Sequence, residues 1–382
     1  MGLLEARDKL KKNKALKIDE DTIVNQDDHV ETVSTGSIIL DKLLGKENKM
    51  GGIARGRICE IMGLESSSKT SISLHICKEI QKLGGNVIFA DFEAALDREY
   101  ARNAIGVDIS EDRFMHLRPQ CLEEGCDIID ALIEDYKESK IDCVVIDSIK
   151  AMIPKVVLEG LAGDEPPMMI QSRKIGTWLS KLVKRIKDTG TTVILLNQMI
   201  KNIKTSPFAG GGEYETPGGL SIRFYASTRI ELKIVTKETT EMLNNITNTM
   251  EEMPDSVKIR ASIIKNKIGT PYRKGEYFIK YGKGVDNKRS IIDMAVAHNI
   301  ISQGGSWYTY KEGGTEGFKL QGDEAMRKFL YAEENAHILR EIIDRIIFNQ
   351  DPQLKEEAKK LEEDEKKVER RLAKKGKNKE EG

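Results

Sequence analysis

Lys69-Thr70 closes a run of mostly small residues, Gly63-Leu64-Glu65-Ser66-Ser67-Ser68. The run follows the apolar stretch Ile58-Cys59-Glu60-Ile61-Met62 and opens the segment Ser71-Ile72-Ser73-Leu74-His75-Ile76. A strand, a tight loop and a helix in that order aim the loop's backbone N–H groups and the helix N-terminus at one point, which suits a phosphate chain. Lys69 is then placed for the β- and γ-phosphates of a nucleoside triphosphate, and Thr70 for Mg²⁺. The spacing is that of the phosphate-loop pattern, except that the pattern's second glycine is Ser68, which enters the φ > 0 region less easily. A Ser-rich helix cap followed by an incidental Lys-Thr is the competing reading; the flanking strand and helix weigh against it.

Three more groups could share that chemistry. Val144-Val145-Ile146-Asp147 puts a carboxylate at the C-terminal edge of a buried strand, where open α/β sheets bind ligands. Asp147 can hold the Mg²⁺ shell through water, although a strand-end aspartate capping a helix reads the same way. Glu93, just past Val87-Ile88-Phe89-Ala90-Asp91, is placed to orient and deprotonate a water for attack on the γ-phosphate; the alternative is a surface loop glutamate. Leu195-Leu196-Asn197-Gln198 ends a strand in an amide that can report the γ-phosphate to the next loop, or is a strand-end turn. That loop, residues 201–219, is long and Gly-rich, and a second irregular stretch, residues 159–169, follows the Asp147 strand. Both leave the same sheet edge. Their backbone amides, with Met168, Arg173, Ile203, Gly218, Gly219 and Arg223, can engage a single nucleic-acid strand.

The elements that must position these groups alternate strand and helix. Strands are expected at 57–62, 86–91, 142–147 and 191–196, with later ones at 229–235 and 257–264, and helices after Lys69 and over 122–137 and 171–188. Short continuous apolar strands separated by helices predict a mostly parallel sheet with helices on both faces. Residues 1–20 read as a Lys-rich amphipathic helix with a thin stripe of Leu3, Leu4, Leu10 and Leu16, suited to docking on a neighbour. Residues 351–382 are mostly charged, a solvated helix or disorder.

The 382 residues carry a formal net charge of -1 with 32% charged side chains, which excludes a globally basic nucleic-acid binder and makes any such surface local. Five cysteines, an odd number without a CxxC pair, read as reduced core thiols of a cytoplasmic protein. The charged N-terminus has no secretory apolar core, and no apolar run approaches a membrane span.

With these residues in order, the chain resembles the bacterial RecA-type recombinases from about residue 30 to 310. Beside the phosphate loop, the likeness rests on Val33-Ser34-Thr35-Gly36-Ser37, Phe92-Glu93-Ala94-Ala95-Leu96-Asp97 with Tyr100-Ala101-Arg102, and Glu159-Gly160 with Gly163-Asp164. It continues through Asn197-Gln198, Gly218-Gly219, Phe224-Tyr225-Ala226-Ser227, Lys265-Asn266-Lys267 and Gly305-Ser306-Trp307-Tyr308-Thr309-Tyr310. The resemblance implies a RecA-like ATPase core over 34–285, an N-terminal oligomerisation arm over 1–33, a small C-terminal α+β domain over 286–350 and a charged tail over 351–382. It also implies an ATP- and Mg²⁺-dependent helical filament, a homo-oligomer on single-stranded DNA that pairs it with a homologous duplex in recombinational repair.

By the same resemblance Glu93 activates the water and Gln198 senses the γ-phosphate. Asp97, Tyr100 and Tyr281 contact adenine, and Lys265 and Lys267 reach the neighbour's ATP. Three positions depart from the family: Ser68, Ala94 where the family has histidine, and a tail of mixed sign where the family's is acidic. A helicase-like motor on the same core, or an ATPase-impaired DNA-binding filament protein, are the alternatives; the Gly-rich loops with Lys265-Asn266-Lys267 speak against the first, and Ser68 alone speaks for the second.

Overall fold

The computed structural model describes residues 30–46, 49–136, 140–161, 163–201, 214–244, 249–312 and 315–348. Residues 1–29 of the expected arm, the charged tail and Ile203 lie outside them.

The continuous apolar runs form the buried middle of a nine-stranded sheet. Its strands are β1 (Ile58–Gly63), β2 (Asn86–Asp91), β3 (Phe114–Leu117), β4 (Ile141–Asp147), β5 (Thr192–Gln198), β6 (Thr228–Asn244), β7 (Thr249–Asn266), β8 (Lys274–Lys280) and β9 (Gly284–Val285). Their spatial order is β9-β8-β7-β6-β1-β5-β4-β2-β3. Neighbours from β6 to β3 run parallel, and those from β6 to β9 antiparallel.

Successive strand residues point to opposite faces and so feed two cores. Ile88, Ala90, Val144, Ile146, Val193 and Leu195 pack on one face with Ile129, Ile133, Ile175, Leu179 and Leu182 of two covering helices. Cys59, Ile61, Phe89, Val145, Ile194 and Leu196 pack on the other with Ile72, Leu74, Ile76 and Ile80. The longer helices of this part are α1 (Ile38–Leu44), α2 (Lys69–Lys82), α3 (Leu122–Glu134), α4 (Pro167–Thr189) and α5 (Gly219–Tyr225). All five cysteines are free and buried, as the sequence led one to expect.

A third cluster, from Ile291 to Ile346, belongs to the C-terminal part. There α6 (Asn287–Ala297), α7 (Asp323–Leu330) and α8 (Ala336–Phe348) accompany an antiparallel sheet of β10 (Ile301–Gly304), β11 (Trp307–Glu312) and β12 (Thr315–Gln321). Asn287 ties it to the start of the core, accepting from Ile38 N at 3.0 Å and donating to Gly36 O at 2.6 Å. Among the described residues no helix is long and apolar enough to cross a membrane.

Three features exceed the sequence expectation. Helix α4 begins at Pro167, whose missing N–H costs nothing in a first turn. Strands β6 and β7 continue past the sheet as a ribbon, paired from Thr228↔Asn266 out to Asn244↔Thr249. Beyond the sheet the described side chains of the ribbon, 236–241 and 249–254, are mostly exposed and mix charged and polar residues with Met250 and Met253, so they carry no regular apolar alternation. β8 and the short β3 and β9 complete the sheet at its edges.

Candidate active site

The parallel register brings the chemistry to one edge. Gly63 pairs with Gln198, Leu196 with Asp147, and Asp147 with Asp91, so four adjoining strands end side by side. Gly63 must be glycine there, because a Cβ would lie 2.5 Å from Leu232 O of the neighbouring strand.

From this edge the loop turns into α2. Ser67 Oγ donates to Leu64 O at 2.7 Å, and Lys69 Nζ donates to Leu64 O at 2.8 Å and to Gly63 O at 3.3 Å. Burial holds the Lys69 ammonium below its usual range, opposed by Asp147, Glu93 and Glu65, whose charges all reach it. Ser68 sits at φ 65° and ψ 27°, the left-handed conformation a glycine would take. The backbone of the loop is therefore kept while the residue type departs, which removes the support Ser68 gave to an impaired ATPase. Ser68 makes no side-chain capping bond, so its Cβ is strained without recompense. We expect Ser68→Gly to stabilise the fold by about 1 kcal/mol and to hydrolyse ATP at least as fast as the parent. Thermal unfolding and steady-state turnover check this, and a loss in either would mean the hydroxyl makes a contact of its own.

Thr70 Oγ1 donates to Asp147 Oδ2 at 2.8 Å. Burial, with Glu93 and Asp91 nearby, raises Asp147 to about 6 against the lowering by Thr70 and Lys69. A hydroxyl and a carboxylate that are both hard oxygen donors, beside a buried lysine and a helix N-terminus, fit a hydrated Mg²⁺ on a triphosphate.

Glu93 lies opposite. Its Oε1 accepts from Ser148 Oγ and, at 3.1 Å, from Gln198 Nε2. Asp91 holds the loop that carries it, accepting from Ala95 N at 3.1 Å and Leu96 N at 3.0 Å and lying 3.1 Å from His116 Nε2. Lys69, Thr70, Asp147, Glu93 and Gln198 thus converge, and Glu65, Ser66 and Ser67 belong to the same loop. Tyr100 is adjacent, its OH 3.0 Å from Ser71 Oγ, and its N–H donates to Asp97 Oδ1 at 2.9 Å. Tyr281 stands apart: it is exposed, its N–H donates to Asp255 O, and among the described residues no bond joins it to the phosphate loop.

Sequence reasoning missed Ser148, Asp91, His116 and Lys150 as members of the site. It also missed the buried group beneath the edge. Asn197 Nδ2 donates to Glu60 Oε1 and to Pro217 O, each at 2.9 Å, and Arg229 Nε donates to Glu60 Oε2. The one signal for it was a charged residue within the apolar run of β1.

Of the expected nucleic-acid residues, Met168 and Arg173 lie on α4, Gly219 and Arg223 on α5, and Gly218 caps α5, while Ile203 lies outside the described residues. These helices approach closely, since a Cβ on Gly176 would lie 2.5 Å from Ser221 Oγ and one on Gly219 would lie 3.0 Å from Ser172 Cβ. Met168 and Arg223 are exposed, and Gly218 and Gly219 both have positive φ. Arg173 makes a two-pronged pair with Glu165, at 2.6 and 3.1 Å. Lys265 Nζ donates to Arg223 O at 2.6 Å and Phe224 O at 3.1 Å, and burial with Lys267 beside it lowers its pKa. Among the described residues, neither Lys265 nor Lys267 bonds to its own protomer's phosphate loop.

The RecA N-terminal domain family matches residues 7–286, and the RecA C-terminal domain family matches residues 289–350. Proteins named Protein RecA are similar over most of the chain. The one from Tropheryma whipplei (strain Twist) is 38% identical over 321 residues, 84% of this chain and 66% of its own length. The one from Saccharopolyspora erythraea is 38% identical over 83% of each chain. The one from Leifsonia xyli subsp. xyli is 38% identical over 83% of this chain and 80% of its own.

Proposed function

The chain belongs to the RecA family and is a recombinase of recombination and repair and a DNA-dependent ATPase; from that premise we propose that it forms a helical filament on single-stranded DNA and pairs that strand with a homologous duplex. The observation that carries this reading is the alignment of Gly63, Gln198, Asp147 and Asp91 on one sheet edge, with Gln198 leading directly into the Gly-rich loop. ATP is the nucleotide. Lys69 and the loop amides hold its phosphates, Thr70 and Asp147 hold Mg²⁺, and Asp97, Tyr100 and Tyr281 take adenine. Mg²⁺, when bound, neutralises charge on the β- and γ-oxygens. Glu93 takes the proton of the attacking water, and Ser148 and Gln198 fix its orientation.

The DNA surface is built from exposed apolar side chains more than from cations. Met168 is 58% exposed, Leu161 69% and Leu220 63%; Gly218, Gly219, Arg173 and Arg223 belong to the same proposed surface, as does Ile203, which lies outside the described residues. Such a surface suits bases of a single strand, with backbone amides on the phosphates. Arg173 exchanges Glu165 for phosphate. The division into an arm over 1–33, a core over 34–285, a small domain over 286–350 and a tail over 351–382 is part of the same reading, as is a cytoplasmic location.

Lys265 and Lys267 act across the protomer interface on the neighbour's ATP, and Phe224, 71% exposed, passes the state of one subunit to the next. Replacing both lysines with Ala should shorten filaments sharply while leaving nucleotide binding by the protomer unchanged. At every joint the change removes charge-assisted hydrogen bonds worth on the order of 1.5–3 kcal/mol each. Electron microscopy with single-stranded DNA and a non-hydrolysable ATP analogue is the test. Filaments as long as the parent's would rule out the role of these lysines, and a parent that forms no filament would overturn the reading itself.

A further inference from the structure

A cation that no phosphate-binding pattern marks stands beside Gln198. Lys150 lies in the single 3₁₀ turn Ile149–Ala151 that follows β4, and its exposed ammonium donates to Gln198 Oε1 at 3.2 Å. On its other side Gln198 donates from Nε2 to Glu93 Oε1. Ser148, which also donates to Glu93, leads into the same turn. The end of β4 therefore touches both ends of the Glu93–Gln198 pair.

A side-chain amide can face a carboxylate with its N–H or, after a half-turn, with its oxygen, and only the first attracts. An ammonium on the amide oxygen removes that ambiguity and polarises the N–H toward the carboxylate. Both described donors to Glu93 fall on Oε1, and among the described residues none reaches Oε2, the oxygen this arrangement keeps for a water. We propose that Lys150 is a positioning residue for hydrolysis: it locks the Gln198 amide with its N–H groups toward Glu93 and the incoming γ-phosphate. This rests on the ATPase reading above.

The test is steady-state ATP hydrolysis by the full chain on single-stranded DNA. Lys150→Ala should lower kcat about tenfold, which corresponds to about 1.4 kcal/mol of barrier, with KM for ATP within about twofold of the parent. Lys150→Arg, which keeps a cationic donor, should restore most of the loss. Because Lys150 acts through Gln198, the double variant Lys150→Ala/Gln198→Ala should be no slower than Gln198→Ala alone. Parental kcat in Lys150→Ala, or losses that simply add in the double variant, would overturn the inference and leave the site intact. Full activity in Glu93→Gln, measured alongside, would overturn the site and the inference with it.

Discussion

Glu93→Gln should bind ATP and assemble on DNA like the parent, while its DNA-stimulated turnover should fall by about 10²–10⁴-fold, the range for loss of a positioned general base. The substitution is nearly isosteric. The amide oxygen can still accept from Ser148, so the loop held by Asp91 keeps its place. What is lost is the ability to take a proton from water. With its oxygen in the Oε1 position the new amide still accepts from Gln198 as well, and its NH₂ takes the place of Oε2. On the proposed assignment nucleotide binding would rest on other groups, Lys69 and the loop amides, and should be unaffected. Hydrolysis assays with single-stranded DNA, paired with titration of a fluorescent ATP analogue, separate the two effects. Turnover within a few-fold of the parent would remove Glu93 from the role of base.

Arg229→Met is the largest expected change in stability. The Glu60 side chain is wholly buried in β1, and its two described partners are Arg229 and Asn197. Removing the guanidinium leaves a buried carboxylate with one amide for company, a defect that costs about 3–5 kcal/mol. Replacing both charges, as in Glu60→Leu/Arg229→Met, should recover most of that loss, since a buried pair contributes little net stability over apolar residues of similar volume. Urea unfolding of parent, single and double variants measures it. A single variant within 1 kcal/mol of the parent, on the scale of a surface change, would show that Glu60 finds another partner. Asn197 also holds Pro217 at the exit of the Gly-rich loop, so loosening Glu60 should reach that loop as well.

The parallel core was legible because β1, β2, β4 and β5 are nearly unbroken apolar runs, a pattern that only burial on both faces explains. The phosphate loop was legible because its residue types are tied to a backbone shape. Ser68 tests the limit of that: the residue differs from the pattern, but its φ of 65° does not. Lys150, Ser148 and His116 were not legible, because their partners lie 48, 55 and 25 residues away and nothing in local spacing announces them. The β6–β7 ribbon was half seen, since periodicity follows the buried half and the described side chains beyond the sheet are mostly exposed. Tyr281 was assigned by resemblance alone, and the described contacts leave it unconnected to the site.

The strand order also bears on the way the chain is made. β1, which delivers the phosphate loop, lies between β5 and β6, strands that emerge well over a hundred residues later. Cys59 pairs with Ile194 on one side and with Thr228 on the other. A growing chain therefore carries a finished loop sequence that lacks its neighbour on one side until residue 198 and on the other until residue 232, the last of β6 to pair with β1. Contacts of such long sequence separation form late and slowly. Chains truncated before that point would carry the loop and Gln198 without both flanking strands, so competence to bind a nucleotide is expected late in synthesis.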